Sequence, residues 1–397
     1  MTTTQTLARY GRTLTIALLL SLPLTVHAQG KLEQDARTAT KVAEVSGVVW
    51  GFDFLAENDL LLSLRNGKLL RVRLPTQASE SAKIDEIKGG PDVVASGQGG
   101  LLDLKIKKLK DGKTWIYLTA SVKSAEGGNT QTTALFRAEW LGSETETRIG
   151  KLERLFEAKP GVDSGLHFGS RLAFTDDAIF MTLGERNQRE RAQKLDQHWG
   201  KVLRLTFDGK PAPGNPFTTP INGVQPKPEI YTWGHRNPQG IAIAPSGEVF
   251  VGEHGPRGGD EINLLKPGAN YGWPTVTHGR EYWGPKISDK TSTDGVEDAV
   301  KYYVPSIAPS SLIIYSGKKH SDLKDRFIQG ALALQHLNIL ALEKKNGKWM
   351  HGTETRLFQK LHERIRNVAE SPSGELYFST DSGRLYKLEG SAKVRAK

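Results

Sequence analysis

The 397-residue chain contains no cysteine. The absence of thiols excludes disulfide bonds, thiolate zinc sites, a cysteine nucleophile and a lipid anchor attached to cysteine. Other common site patterns are missing too: no HExxH or CxxC occurs, and the glycine-rich loop after Gly252 lacks EF-hand spacing. Ser170 is not part of a GxSxG nucleophile elbow, which argues against a serine hydrolase.

Long apolar runs are absent beyond the N-terminal region. There, Arg9 and Arg12 precede an apolar run over Leu14–Val26, which Pro23 interrupts and which ends near Ala28. This pattern predicts a signal peptide over residues 1–28, with a buried N-terminal helix as the alternative. We expect a periplasmic or secreted protein whose mature chain has no integral membrane segment.

Dense runs of one charge are also rare, although the formal net charge is +10. The basic residues are scattered, and the densest runs, 105–108 and 318–319, have no interleaved aromatic residues. An exported protein also seldom meets nucleic acid. We therefore expect solvated basic surfaces and no nucleic-acid partner.

Short alternating apolar runs, separated by Gly, Asn, Asp and Pro, recur along the chain, whereas long amphipathic helical patterns are missing. Such runs are typical of antiparallel strands joined by hairpin turns. Six copies of the pattern begin near Val48, Leu101, Leu172, Gly240, Ser311 and Val368. We predict an all-β fold, a six-bladed β-propeller of four-stranded antiparallel blades, with seven blades as an alternative count.

No linker rich in Pro or Ser divides the chain, which favours one closed domain. After the signal peptide, we predict an N-terminal extension over residues 29–45. A single propeller over 46–390 follows, and a basic C-terminal tail over 391–397 ends the chain.

The most informative segment is a glycine-rich stretch over residues 231–274. It contains GHRNPQG from Gly234, GEHGPRGGDEIN from Gly252 and NYGWP from Asn270. Carbonyls and carboxylates in such a loop are the oxygen ligands that calcium prefers. The alternative is an ordinary polar loop whose acidic residues pair with Arg257 and Lys266, and composition alone favours that alternative.

Two further segments carry candidate chemistry. His167 is followed at a short distance by Glu185, and a histidine oriented by a carboxylate is the minimal apparatus of a general base. Arg364 and Arg366 share one face of a predicted strand, so both guanidinium groups can grip a carboxylate with two bonds. The alternatives are a structural histidine and a solvent-facing strand edge.

Together these segments resemble one family, the soluble aldose sugar dehydrogenases that use pyrroloquinoline quinone (PQQ), also called the glucose/sorbosone dehydrogenase family. The resemblance extends from about Val48 to about Leu388. The motifs between Gly234 and Pro274 carry it most specifically, and residues 97–102 are similar to the family's GQGGLL motif. The resemblance implies a six-bladed propeller, which agrees with the repeat count.

The resemblance also implies PQQ and calcium as cofactors and an aldose sugar as substrate. His167 is similar to the family's catalytic base, which takes the proton of the C1 hydroxyl while hydride passes to the quinone. Glu185 matches a carboxylate that orients this histidine, and Gln98 matches a residue beside substrate and cofactor. Arg364 and Arg366 match arginines that grip the PQQ carboxylates.

The remaining implied roles concern the quinone and the metal ion. Arg236 and Asn237 match a pair that contacts the quinone oxygens, and cationic Arg236 would stabilise charge that develops there. The backbone carbonyls of Gly255 and Pro256 match the calcium ligands. An external electron acceptor is implied as a partner.

The chain departs from the family pattern at three positions. Ala333 occupies the place of a lysine that reaches the cofactor, Asn367 replaces an aspartate, and Val304 replaces an aromatic residue before a proline. Two readings from other classes also remain, a calcium-dependent propeller hydrolase such as a lactonase, and a non-catalytic extracellular binding propeller.

Overall fold

The computed structural model describes residues 37–77 and 79–391. The predicted signal peptide over 1–28 and residues 392–397 of the predicted tail lie outside these described residues. Within the described ranges, no helix is long and apolar enough to cross a membrane. The helical segments there are short 3-10 turns at Arg189–Gln193, Ser321–Leu323 and Gln359–Leu361.

The strands form six antiparallel four-stranded sheets, the blades of a β-propeller, which confirms the predicted fold. Blade 1 contains β2 (Val49–Ala56), β3 (Asp59–Leu64), β4 (Leu69–Arg73) and β5 (Lys83–Ile87). Blade 2 contains β6 (Leu101–Lys108), β7 (Thr114–Lys123), β8 (Gln131–Glu139) and β9 (Glu153–Glu157). Blade 3 contains β10 (Gly169–Phe174), β11 (Ile179–Leu183), β12 (Lys201–Leu205) and β13 (Ile230–Trp233).

The second half of the ring repeats this arrangement. Blade 4 contains β14 (Pro238–Ile243), β15 (Val249–Glu253), β16 (Asp260–Leu264) and β17 (Lys301–Tyr303). Blade 5 contains β18 (Ile313–Ile314), β19 (Phe327–Ala331), β20 (His336–Lys345) and β21 (Lys348–Leu357). Blade 6 contains β22 (Ile365–Glu370), β23 (Leu376–Thr380) and β24 (Arg384–Glu389), with β1 (Thr38–Glu44) as its fourth strand.

The ring closes through its first strand. Strand β1 pairs antiparallel with β24, from Thr38 opposite Glu389 to Glu44 opposite Arg384. The prediction that residues 29–45 form an extension outside the propeller is therefore wrong for Thr38–Glu44. As an edge strand, β1 exposes most of its side chains, so its sequence lacks the apolar alternation that marks the other strands.

The hydrophobic core is distributed around the ring, with one cluster between each pair of neighbouring blades. Between blades 3 and 4, for example, Phe180 and Val202 pack against Ile241 and Val251. Each blade is therefore buried on both faces. This explains why a strand such as β11 is buried along its whole length instead of alternating between apolar and polar residues.

Arg171 of β10 lies at the propeller axis and connects all six blades. Its guanidinium contacts Asp103 on β6 at 2.9 Å and also donates to groups in the four other blades. These acceptors are the carbonyls of Trp50, Gln239, Ser310 and Arg366 and the side-chain oxygen of Asn367. The innermost segments of the blades are thus held in a defined arrangement beneath the loops that carry the candidate site.

Candidate active site

The hairpin of β10 and β11 brings His167 and Glu185 together. Gly169 is paired with Leu183 at the open end of this hairpin. His167 precedes Gly169 by two residues, and Glu185 follows Leu183 by two residues. The imidazole Nδ1 of His167 is 2.8 Å from Glu185 Oε2. Both side chains are buried, with 7% and 1% of their residue surface exposed. The structure therefore places the predicted base next to its predicted orienting carboxylate.

The segment of Gln98 packs directly against the His167 segment. The Gln98 amide N–H donates to the Gly165 carbonyl at 2.8 Å, and its side-chain Oε1 accepts the His167 N–H at 2.9 Å. A Cβ on Gly97 would lie 2.4 Å from the Gly165 carbonyl oxygen, so the glycine of the GQGG motif is required for this approach. Gln98 thus contacts the backbone of the predicted base, a contact that the role implied by the resemblance did not include.

The environment of His167 favours its neutral form. Burial lowers the pKa of His167 below 6.5, and the nearby cations Arg236 and Arg186 lower it further, although Glu185 opposes them. With the Nδ1 proton donated to Glu185, the Nε2 lone pair is the proton acceptor of the neutral ring. The arrangement can therefore act as a general base at neutral pH.

Arg236 and Asn237 project from the start of blade 4. Arg236 Nη1 donates to the Gly255 carbonyl at 2.9 Å, and its backbone N–H donates to Glu253 at 2.8 Å. Asn237 Oδ1 accepts the Gly169 N–H at 3.1 Å, which connects this segment to that of His167. The buried Nε of Arg236 has no hydrogen-bond partner among the described residues, as expected of a group that awaits an acceptor.

The Gly255 segment is built from tight backbone turns. A Cβ on Gly255 would lie 2.3 Å from the Gly258 carbonyl oxygen, so no other residue fits there. The Gly255 N–H donates to Asp260 at 2.8 Å, and Asp260 also accepts the N–H groups of Ile307 and Ala308, each at 2.7 Å. The carboxylate of Asp260 is therefore used to hold the loop.

These contacts test the expected pairing of the acidic residues in this loop. Asp260 pairs with backbone N–H groups, Glu253 contacts His235 at 2.8 Å, and Lys266 contacts Glu297 at 2.5 Å. The predicted pairing of the loop acids with Arg257 and Lys266 is therefore wrong.

Calcium would have to be held here without a cluster of acidic ligands. In the described part of the chain, no group of three or more His, Asp or Glu side chains is arranged to hold a metal ion. The carbonyls of Gly255 and Pro256 are the neutral oxygen ligands that calcium accepts, so the donor type fits the ion.

Arg364 and Arg366 share one carboxylate, which the sequence analysis missed. Arg366 Nε and Nη2 contact Asp381 at 2.7 and 2.9 Å, and Arg364 Nε contacts the same carboxylate at 2.8 Å. Arg366 also reaches the Gln239 side chain at 3.2 Å. Two guanidinium groups with one carboxylate leave a net positive charge, which suits a cofactor that carries several carboxylates. Asp381 lies in the turn before β24, and no spacing in the sequence links it to the arginines.

The structure also accounts for the positions that depart from the family pattern. Asn367 bonds Arg171 at the axis, so it belongs to the axial contacts and not to the arginine pair. Ala333 is exposed and lines a cavity of about 660 Å³ together with Gly255, Pro256 and Val304.

Ser170 is fully buried and its hydroxyl donates to the Phe168 carbonyl, so it cannot serve as a nucleophile.

Comparison with known proteins decides the family. The profile of the family described as Glucose / Sorbosone dehydrogenase matches residues 47–387. The chain belongs to this family. This membership confirms the resemblance recognised in the sequence. The glucose/sorbosone dehydrogenases are oxidoreductases that act on sugar CH–OH groups.

Individual relatives extend this result. The chain is 35% identical over 346 residues to aldose sugar dehydrogenase YliI from Escherichia coli, covering 85% of this chain and 89% of the relative. A crystal structure of a glucose dehydrogenase superposes with a TM-score of 0.79 at 34% identity, covering 89% of this chain and all of that one. A PQQ-bound aldose sugar dehydrogenase from Streptomyces coelicolor gives 0.67 at 25% identity, covering 89% and 98%.

Proposed function

We propose that this family member oxidises the C1 hydroxyl of cyclic aldose sugars to the lactone, with PQQ as the electron acceptor and calcium as a second cofactor. The observation that carries the proposal is the buried contact of 2.8 Å between His167 Nδ1 and Glu185. Hydride leaves an alcohol carbon readily only when the hydroxyl loses its proton, so this reaction needs a base of that kind.

His167 receives the proton of the C1 hydroxyl at Nε2. Glu185 holds the ring with Nδ1 protonated and stabilises the imidazolium that forms. Burial keeps the base neutral before the reaction by lowering the pKa of His167. The surrounding segments, connected through Gln98 and Asn237, limit the movement of this group.

The cofactors would be held by groups on blades 4 and 6. When bound, PQQ supplies the electron sink that takes the hydride, and the protein contributes orientation and electrostatics. Arg236 and Asn237 would face the quinone oxygens, while Arg364 and Arg366 would face the carboxylates. Calcium at the Gly255 and Pro256 carbonyls would supply Lewis-acid assistance.

The remaining partners follow from the chemistry. A reduced cofactor has to be reoxidised, so the enzyme needs an external electron acceptor. We propose that the reaction takes place in the periplasm or outside the cell, after removal of the segment over residues 1–28. Family membership and the arginine pair favour this function over a lactonase, which would need no cationic group for a cofactor, and over a non-catalytic binding propeller.

Reconstitution tests the proposal directly. Purified protein, stripped of metal ions, is titrated with PQQ in the presence and absence of calcium, and aldose-dependent reduction of a redox dye is then measured. We expect a change in the PQQ absorption spectrum, and dye reduction only when both cofactors and an aldose are present. Lack of sugar-dependent dye reduction in fully loaded protein would overturn the proposal, and so would equal activity without PQQ.

A further inference from the structure

The peptide bond between Leu166 and His167 is held by side chains at both of its polar atoms. Its N–H donates to Gln98 Oε1 at 2.9 Å, and its carbonyl accepts from Arg186 Nε at 2.9 Å. Arg186 Nη2 also donates to the Ser164 carbonyl. This peptide leads directly into His167, whose φ of 51° lies in the left-handed region that non-glycine residues rarely adopt.

Arg186 is buried in an unusual way. It is 0% exposed, and its guanidinium lies 3.6 Å from the ring centroid of Phe168 and 5.3 Å from that of Trp199. Within the described residues, no ion pair joins it to a carboxylate, although Glu185 is its sequence neighbour. Burial lowers the pKa of Arg186 to about 9. Burying an unpaired guanidinium costs folding free energy. The two hydrogen bonds to the Ser164 and Leu166 carbonyls indicate what this group does in return: it holds the backbone that leads into His167.

We infer that Arg186 is a positioning residue for His167, which it holds in the conformation that directs the imidazole to Glu185 and to the substrate. The inference rests on the proposed role of His167 as the base. Glu185 and Arg186 are consecutive, so one short segment after β11 orients the ring through a carboxylate and fixes its backbone through a guanidinium. Gln98, from the segment before blade 2, completes the restraint from the other side.

The charge of Arg186 gives the inference a second, separable consequence. The charged and titratable groups that face His167 are Glu185, Arg186, Arg236 and His254. Of these, Arg186 and Arg236 disfavour the protonated imidazole, and Glu185 favours it. Removing the Arg186 charge should therefore raise the pKa of His167, whereas removing only its fork geometry should not.

Two variants separate these effects. Arg186→Met retains the stem but loses charge and both backbone bonds, so we expect kcat to fall about 10- to 100-fold, the range for a slightly misplaced catalytic group. The acid limb of its kcat/KM–pH profile, where activity rises as His167 loses its proton, should also move to higher pH. Arg186→Lys keeps the charge without the planar fork, so kcat should fall while the acid limb stays near that of the wild type.

Arg71→Met is the control for loss of a buried arginine elsewhere in the fold. Arg71 is also buried, donates to the Ser143 and Glu146 carbonyls at 2.6 and 3.0 Å, and lies 5.2 Å from the Trp140 ring centroid, although unlike Arg186 it also pairs with Asp59 at 2.6 Å. It lies on β4 of blade 1, and among the described residues no hydrogen bond or ion pair connects it to the His167 segment. Its substitution should lower stability without moving the acid limb.

A readout that needs neither PQQ nor sugar completes the test. The His167 ring is titrated by NMR in the cofactor-free protein, wild type against Arg186→Met and Arg186→Lys. We expect the His167 pKa to rise in Arg186→Met and to stay in place in Arg186→Lys. An unchanged His167 titration in Arg186→Met overturns the inference, as does a kcat equal to that of wild type in both variants. If Arg186→Met does not fold, the kcat of Arg186→Lys decides. A wild-type protein without dehydrogenase activity would refute the proposed function instead, and the NMR titration would still test the restraint.

Discussion

Arg171 and Asp103 form a buried ion pair at the propeller axis, with 2.9 Å between Nη1 and Oδ1 and with 3% and 1% of their residue surface exposed. The second oxygen of Asp103 accepts the Leu172 N–H at 2.8 Å. The pair is thus tied to the backbone on both sides. Since Arg171 also donates to the carbonyls of Gln239 and Arg366, it links the segments that carry the candidate cofactor residues.

The first prediction concerns this ion pair. Arg171→Met leaves Asp103 buried without its partner, so the free energy of unfolding should fall by about 3–5 kcal/mol, as when one member of a buried pair is removed. Urea unfolding of both proteins measures the difference. Arg148→Met is the control, because Arg148 and its partner Glu146 are both more than half exposed and the loss of this pair should cost at most about 1 kcal/mol. Equal losses in the two variants would contradict the axial role.

The second prediction concerns the base. His167→Ala should lower turnover by about 10²–10⁴-fold, the usual contribution of a general base. PQQ affinity should change little, because the groups proposed to hold PQQ are the arginines and the calcium carbonyls. Dye-reduction kinetics and a PQQ titration measure the two quantities. Near-normal turnover in the variant would remove His167 from the mechanism.

The third prediction is a pH dependence. Burial lowers the pKa of His167 below 6.5, and the base acts only in its neutral form, so kcat/KM should rise with pH and level off with a midpoint below pH 6.5. Glu185 is the group that raises this pKa. In Glu185→Gln the midpoint should therefore move to still lower pH, while kcat falls because the ring loses its orienting carboxylate. A midpoint that moves upward in Glu185→Gln would contradict this assignment.

The fourth prediction distinguishes the two arginines near Asp381. The Arg366 side chain is 11% exposed and that of Arg364 is 47% exposed. A charge-assisted hydrogen bond contributes about 1.5–3 kcal/mol, so Arg366→Met should weaken PQQ binding roughly 10- to 150-fold. Arg364→Met should have a smaller effect, because solvent screens the exposed group. PQQ titrations at fixed calcium compare the two, and a larger effect of Arg364→Met would reverse the assignment.

The fifth prediction concerns Ala333, which stands in the place of a family lysine. Its side chain is exposed to the cavity that also contains Gly255, so a longer residue can enter without disturbing the core. His336 cannot substitute for the lysine, because it is fully buried and contacts the Leu334 carbonyl. Ala333→Lys should therefore tighten PQQ binding and leave sugar preference unchanged. Equal or weaker binding would show that another cation already fills the role.

Much of the fold was predictable, because propeller blades are built from local hairpins. Strand β2, its turn and β3 are adjacent in sequence, and so are the other hairpins, so short-range alternation and turn residues identify them. Strand β1 could not be predicted from such local patterns. It pairs with a strand more than 300 positions away, since Thr38 lies opposite Glu389, and its exposed edge carries little hydrophobic signal.

The sequence by itself determined the class of fold, the family and the candidate residues His167, Glu185, Arg236 and Arg366, because motifs and local periodicity report chemistry and short-range structure. Only the tertiary structure decided which groups these residues meet. The axial contacts of Arg171 join segments of all six blades through closure of the ring. The pairing of Arg366 with Asp381 and the support of His167 by Arg186 arise within single blades, where strand pairing brings neighbouring loops together. The burial of these side chains and the distances between them arise from strand pairing and from the packing of the blades, and no spacing along the chain encodes them.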